Sequence, residues 1–148
     1  MNFELKIIRE VSIQAEDFYN DAVNLGDHAA FTLKGSHRSQ MTALENIAES
    51  TFKTSDVLDY VKKQTARFSY WRQGVPGGPN EGFGERLKNY LEGKLVERRD
   101  FICGDDKLKI QDMQERRRVH LLLMRQFIRQ MVVEYEYQVN IDSKKKGA

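Results

Sequence analysis

The last third of the chain, ERRRVHLLLMRQFIRQMVVEYEYQV over 115–139, constrains the fold more than any other stretch. At about 100° per residue, Leu121, Met124, Ile128, Met131, Val132, Tyr135 and Val139 share one arc of a helix. Leu123 and Phe127 extend the apolar surface, while Leu122 and Val133 sit on yet another side. A helix apolar around so much of its circumference is a substantially buried one, so the stretch predicts neighbours that cover it. Its clearly polar strip carries Arg118, Arg125, Arg129 and Glu136, with Gln126 and Gln130 beside it. Something must answer the positive charge of that strip.

Upstream of this pillar the chain reads as further helices. Over 3–25, Ile8, Val11, Ala15, Phe18, Ala22 and Leu25 recur at three and four, which predicts an amphipathic helix stopped by Gly26 and Asp27. A short connection, HAAFTLKGS, follows, and Gly35 with Ser36 marks the start of a second helix whose inner face is Met41, Leu44, Ala48 and Thr51, with Ile47 beside them. Thr54 or Ser55 can cap a third helix, with Asp56 favourable in its first turn and Val57, Leu58, Val61, Ala66 and Phe68 directed inward. The segment FSYWRQGVPGGPNEGFG, over 68–84, concentrates five glycines and two prolines and predicts a loop of about ten residues. Loops of that length in a compact domain are often functional or disordered. Phe83, Leu87, Tyr90, Leu91 and Leu95 then give a fourth helical face. The piece RDFICGDDKLKIQD can end that helix and begin the last one, or form a short hairpin pairing 101–103 with 108–110; the helical reading is preferred. The expected fold is therefore an all-α, five-helix bundle over 1–141, with a long buried C-terminal helix, a Gly/Pro-rich loop between helices 3 and 4, and a flexible basic tail over 142–148.

A chain of 148 residues is one domain by size and can bury a real core. Lys and Arg total 24 against 22 Asp and Glu, a net charge of only +2, so a nucleic-acid surface has to come from charge sorted onto one face. One cysteine, Cys103, excludes an internal disulfide and a cysteine-rich zinc site, and is read as a small buried hydrophobe. The N-terminal MNFELKIIRE holds no apolar run of signal-peptide or membrane length, so the expected location is cytoplasmic, with no membrane partner.

Enzyme chemistry finds little support. His28, His37 and His120 lack metal-ligand spacing, and no metal or cofactor is expected. His28 with His37 could serve as an acid and base pair for RNA cleavage, but two histidines in connecting segments are more often surface residues. Asp105 and Asp106 adjoin, which is turn chemistry. The glycine loop has no lysine followed by Ser or Thr after its last glycine, as a phosphate-binding P-loop requires. What remains is basic residues interleaved with aromatics: Lys62, Lys63, Arg67, Phe68, Tyr70, Trp71 and Arg72 run into the loop, a composition suited to phosphates and base stacking. Equally, Phe68, Tyr70 and Trp71 can anchor the helix end in the core while the cations are solvated. Arg116, Arg117 and Arg118 form a second cluster, with Glu115 and Glu97 as ion-pair candidates; exposed pairs contribute only about 0–1 kcal/mol, so the triplet reads as partner-binding or as a helix start.

Three segments carry a family resemblance. SHRSQMTALENIAESTF over 36–52 resembles the opening of the small helical subunit of type III CRISPR effector complexes. FSYWRQG over 68–74 is similar to that family's aromatic and arginine segment, and RQFIRQMVVEYEYQ over 125–138 resembles its closing helix. Together they cover about a third of the chain, in the family's order. The chain departs from the family at Met41 and Thr42, where an arginine is usual, and in its VEYEYQ ending. The resemblance implies a non-catalytic, all-helical subunit that contacts guide or target RNA by its backbone and packs against neighbouring effector subunits; self-association is a separate expectation. The residues expected at the nucleic acid are Lys62, Lys63, Arg67, Tyr70, Trp71, Arg72, Arg116, Arg117, Arg118, Arg125 and Arg129.

Two other classes compete. In a winged-helix DNA-binding regulator, 36–50, 55–65 and 83–95 would be the three helices, RDFICGDDKLKI the wing and the last helix a dimerisation arm; Lys88, Asn89, Lys94, Arg98 and Arg99 would then meet DNA. The glycine loop makes the turn before that recognition helix far longer than the usual few residues. A helical protein-interaction scaffold is compatible with the near-neutral charge.

Overall fold

A computed structural model of the protein describes residues 2–147. The chain folds as α1 (Phe3–Asp17), α2 (Tyr19–Leu33), α3 (Arg38–Ser50), α4 (Thr54–Arg67), α5 (Phe83–Asn89), α6 (Leu95–Ile102) and α7 (Met113–Gly147). Single 3₁₀ turns at Gly35–His37 and Ser69–Trp71 precede α3 and follow α4, and a π-helical turn at Tyr90–Lys94 joins α5 to α6 as one continuous rod. Among the described residues there is no strand, and no helix is long and apolar enough to cross a membrane.

The pillar expected from the sequence is α7, and α1, α2, α3, α4 and α6 all pack on it, α2 most extensively. Leu123, Met124, Phe127, Ile128, Met131 and Tyr135 are wholly buried along it. The opposite strip is exposed at Val133 and Tyr137. Helical backbone continues through the residues 142–147 assigned to a flexible basic tail, and Ala148 lies outside the described residues.

The five expected rods become six, because the first helix does not stop at Gly26. It breaks at Phe18, whose wholly buried ring packs edge-on against Phe127 at 5.5 Å, and α2 then runs to Leu33. Gly26 lies inside α2 because the helix there approaches α7 too closely for a side chain: a Cβ would stand 2.6 Å from the Met131 carbonyl oxygen and 2.7 Å from Glu134 Cβ. The segment HAAFTLKGS is accordingly helical over its first six residues rather than a connection, and His28 is buried rather than a surface residue.

The α5–π–α6 rod also has a readable cause. Phe83, Leu87, Leu91 and Leu95, all buried, recur every four residues, and in an α-helix such a strip drifts by about 40° per step. The wider π turn takes up that drift and keeps the strip facing the core. Inside that turn the Leu91 carbonyl accepts from His120 Nε2 at 2.8 Å, and burial lowers the His120 pKa, so the ring stays neutral. The Tyr90 ring stacks on Phe127 at 4.4 Å while its hydroxyl donates to Asp21 at 2.6 Å.

The proposed wing is not formed. Residues 103–112 turn tightly between α6 and α7, held by Leu108 N–H to the Ile102 carbonyl (3.1 Å) and Ile110 N–H to the Cys103 carbonyl (3.0 Å). Lys109 takes a left-handed φ of 52°, and Cys103 is buried beneath the turn. The helical reading preferred for this piece is the one found, and the alternative hairpin pairing 101–103 with 108–110 is absent because Phe101 and Ile102 complete the last turn of α6.

At the α2–α7 crossing Asp27 faces Glu134, and partial burial together with that second carboxyl raises the Asp27 pKa to about 6. A folded-state pKa above the unfolded value of 3.8 gives stability that is present at low pH and lost as pH rises through about 6. Asp27→Asn is therefore expected to melt higher than the parent at pH 8, with the difference closing towards pH 4. Thermal melts across that range check it, and a gain independent of pH would mean that the carboxyl pair is not its source.

Candidate nucleic-acid interface

The corner between α3 and α4 and the N-terminal half of α7 enclose a groove of about 650 Å³. Leu121 and Leu122 of α7 and Phe52 of the corner give it apolar surface; Lys53, Arg117, Arg118 and Arg125 give it charge; Thr54, Ser55 and Gln114 complete it. No aspartate or glutamate lines it among the described residues. The groove thus sorts positive charge onto one place, as a near-neutral chain must do to hold an anion.

Each cation has its own local reason. Arg125 is structural: its guanidinium donates to the Ala48 carbonyl and to the Thr51 carbonyl, both at 2.7 Å, capping the C-terminal end of α3. Arg118 pairs with Glu4 and lies 3.8 Å from Glu115. Lys53 sits 3.8 Å from Asp56 at high exposure. Arg117 is exposed and makes no ion pair among the described residues. Thr51 stiffens the corner, its hydroxyl accepting from Lys53 N–H at 3.0 Å and donating to Asp56 at 2.6 Å.

Of the residues expected from the sequence, the groove gathers Arg117, Arg118 and Arg125. Arg116 turns away, donating to the Ile110 carbonyl at 3.0 Å and to Asp100 at 2.6 Å, and so ties the turn after α6 to α7. Arg129 meets Glu49 of α3 at 2.6 Å. Much of the arginine strip is therefore answered from within the chain, with Arg38 meeting Glu136 at 3.0 Å in the opposite sense.

The aromatic set divides. Trp71 is 0% exposed; its indole N–H donates to Gln40 at 2.7 Å and its ring lies 5.0 Å from that of Phe83, so it is a core anchor and offers no face for stacking. Tyr70 is half-buried, stacked on His37 at 3.8 Å and bonded through its hydroxyl to Gln40 at 2.5 Å. Arg72 folds back to the Thr65 and Ala66 carbonyls at 2.9 and 3.0 Å, capping the end of α4. Lys62, Lys63 and Arg67 are exposed on the second half of α4, about 13 Å along the helix from the groove. Lys62 lies 3.9 Å from Glu92, and Arg67 packs over the Phe68 ring. They form a second basic surface, separate from the first.

Phe52 and Lys53 carried no signal as site residues. The cue available was a phenylalanine in the short break STFKT between two helices, a position usually polar.

The histidines do not make an acid and base pair. His28 is 2% exposed, its Nδ1 2.8 Å from Arg86 and its Nε2 2.7 Å from the Gln73 carbonyl. The guanidinium can only donate, so Nδ1 accepts and Nε2–H donates to the carbonyl. Burial lowers the His28 pKa and favours this neutral form. Its work is to pin the neck of the 72–82 loop to α2. That neck closes where Phe83 N–H meets the Gln73 carbonyl at 3.3 Å, and at Gly82 a Cβ would stand 2.5 Å from the Arg72 carbonyl carbon. His37 stacks on Tyr70 instead. No group of three or more His, Cys, Asp or Glu able to hold a metal occurs among the described residues.

Comparison with known families, with curated proteins and with solved structures returns no match for this chain.

Proposed function

We propose that the chain is a non-catalytic, RNA-binding helical subunit of a larger ribonucleoprotein assembly, as its resemblance to the small subunit of type III CRISPR effector complexes implies. The observation that carries this reading is the groove at the α3–α4 corner, rimmed by four cations and lined by no acidic side chain. Phosphates are the partner chemistry such a surface fits best. The exposed cations of α4 add a second, separate basic surface, and exposed Val133 and Tyr137, one turn apart on α7, leave apolar area for a neighbouring subunit. The winged-helix alternative has lost its wing, and Lys88 of its recognition helix is engaged with Glu85 and Glu92.

The test is fluorescence anisotropy of a labelled single-stranded RNA at rising salt. Arg117→Glu is expected to weaken binding at least about tenfold and to lower the salt slope by roughly 0.7, one phosphate contact of a single strand. Reversal of Lys62, Lys63 and Arg67 together tests the second surface and is expected to weaken binding further. A purified chain that ignores both RNA and DNA at low salt overturns the reading.

A further inference from the structure

Phe52 is 94% exposed, the most exposed large hydrophobic side chain among the described residues, and it stands on the lip of the basic groove. An aromatic ring held fully in water contributes nothing to the core, and a turn between two helices is ordinarily filled by a polar residue. The backbone that presents it is nonetheless held firmly. The Arg125 guanidinium binds the carbonyls of Ala48 and Thr51 just before it, and the Thr51 hydroxyl bridges Lys53 N–H and Asp56 just after it. A rigid mount, a bare ring and cations on both sides of it form one constellation: Lys53 follows Phe52 in sequence, and Arg117 and Arg118 line the same groove from α7.

We propose that the groove takes single-stranded nucleic acid, with one unpaired base stacked on Phe52 and the flanking phosphates held by Lys53, Arg117 and Arg118. This rests on the RNA-binding reading above and names the form of nucleic acid that its site accepts. Charge complementarity chooses the occupant: Arg117 is exposed and makes no ion pair among the described residues, Lys53 and Arg118 stand beside it with no carboxylate lining the groove, and a bare ring matches a base face. A duplex keeps its bases stacked on one another and offers that ring nothing. The stacking role assigned from the sequence to Tyr70 and Trp71 thus passes to Phe52, because those two rings are already engaged inside the fold.

The exposure of Phe52 makes the test clean, since its removal leaves no cavity. Phe52→Ala, Phe52→Trp and Arg117→Glu are compared with the parent chain by anisotropy on fluorescein-labelled oligoadenylate, on the same strand annealed to oligouridylate, and on an acidic amphipathic peptide. Thermal melts of each variant accompany the binding curves. Phe52→Ala is expected to melt as the parent does, to bind the single strand roughly 5- to 150-fold more weakly, and to keep the parent's salt slope, because no phosphate contact is lost. Phe52→Trp is expected to bind at least as tightly as the parent. Single-strand affinity unchanged in Phe52→Ala but lost in Arg117→Glu overturns the stacking proposal and leaves the RNA-binding reading standing. Binding of the peptide alone, dependent on Phe52, overturns both in favour of a protein partner. Absence of binding to every probe also overturns both.

Discussion

Trp71→Ala is expected to lower the stability of the fold by about 3–5 kcal/mol, the range for deleting a large buried aromatic. The indole is 0% exposed, tilted on Phe83 with ring centroids 5.0 Å apart and edge-on to Tyr60 at 6.3 Å. Its N–H also completes a polar cluster in the core: Gln40 Oε1 accepts from Trp71 at 2.7 Å and from Gln64 Nε2 at 2.9 Å, while the Gln40 carbonyl accepts from the Tyr60 hydroxyl at 2.9 Å. Truncation would leave both a cavity and an acceptor with one donor fewer. Trp71→Phe keeps much of the volume and loses only the donor, so its cost should fall nearer about 1–2 kcal/mol. Chemical denaturation measures both. RNA affinity of the folded fraction should be unchanged, and a Trp71 variant of parental stability that fails to bind RNA would return this residue to the ligand.

Trp71 shows the boundary of what a sequence of this kind makes legible. Periodicity reports the apolar faces of long helices well, because a buried stripe repeats many times: α7, the Met41, Leu44 and Ala48 face of α3, and the Phe83, Leu87, Leu91 and Leu95 strip all appear where the spacing puts them. It reports poorly on residues whose role is set by one distant partner. Arg125 reads on the wheel as part of an exposed seam, and only the fold reveals that its partners are carbonyls of Ala48 and Thr51, 77 and 74 positions away. Arg129 is likewise answered by Glu49. A Trp in a basic segment next to a glycine loop has the composition of a ligand platform and of a core anchor alike, and burial decides between them. Phe52 is the converse case: one aromatic in a short break has no period, and its place in a break that is usually polar is the single cue that sets it apart from a residue of the core.

Glycine produced the largest misreading of the fold, and it sets the second large effect. Within a helical pattern a glycine signals either a stop or a close crossing, and the two cannot be told apart locally. At Gly26 the structure selects the crossing: a Cβ would fall 2.6 Å from the Met131 carbonyl oxygen and 2.7 Å from Glu134 Cβ, and a main-chain carbonyl in the middle of α7 cannot move without the helix. Gly26→Ala should therefore destabilise by about 1–3 kcal/mol as overpacking, even though alanine gains roughly 1 kcal/mol over glycine in helix propensity. Gly26→Leu should force α2 from α7 and abolish cooperative unfolding, since that is the most extensive helix contact in the fold. At Gly93, in the π turn, a Cβ would meet no atom within 4 Å, so Gly93→Ala supplies the opposite sign and should gain up to about 1 kcal/mol. Equilibrium unfolding of the three variants separates the two roles of glycine. If Gly26→Ala stabilised the chain as Gly93→Ala does, α2 and α7 would have to stand further apart than so close a crossing allows, and the packing of α2 on the Met131 and Glu134 turn of α7 would have to be reassigned.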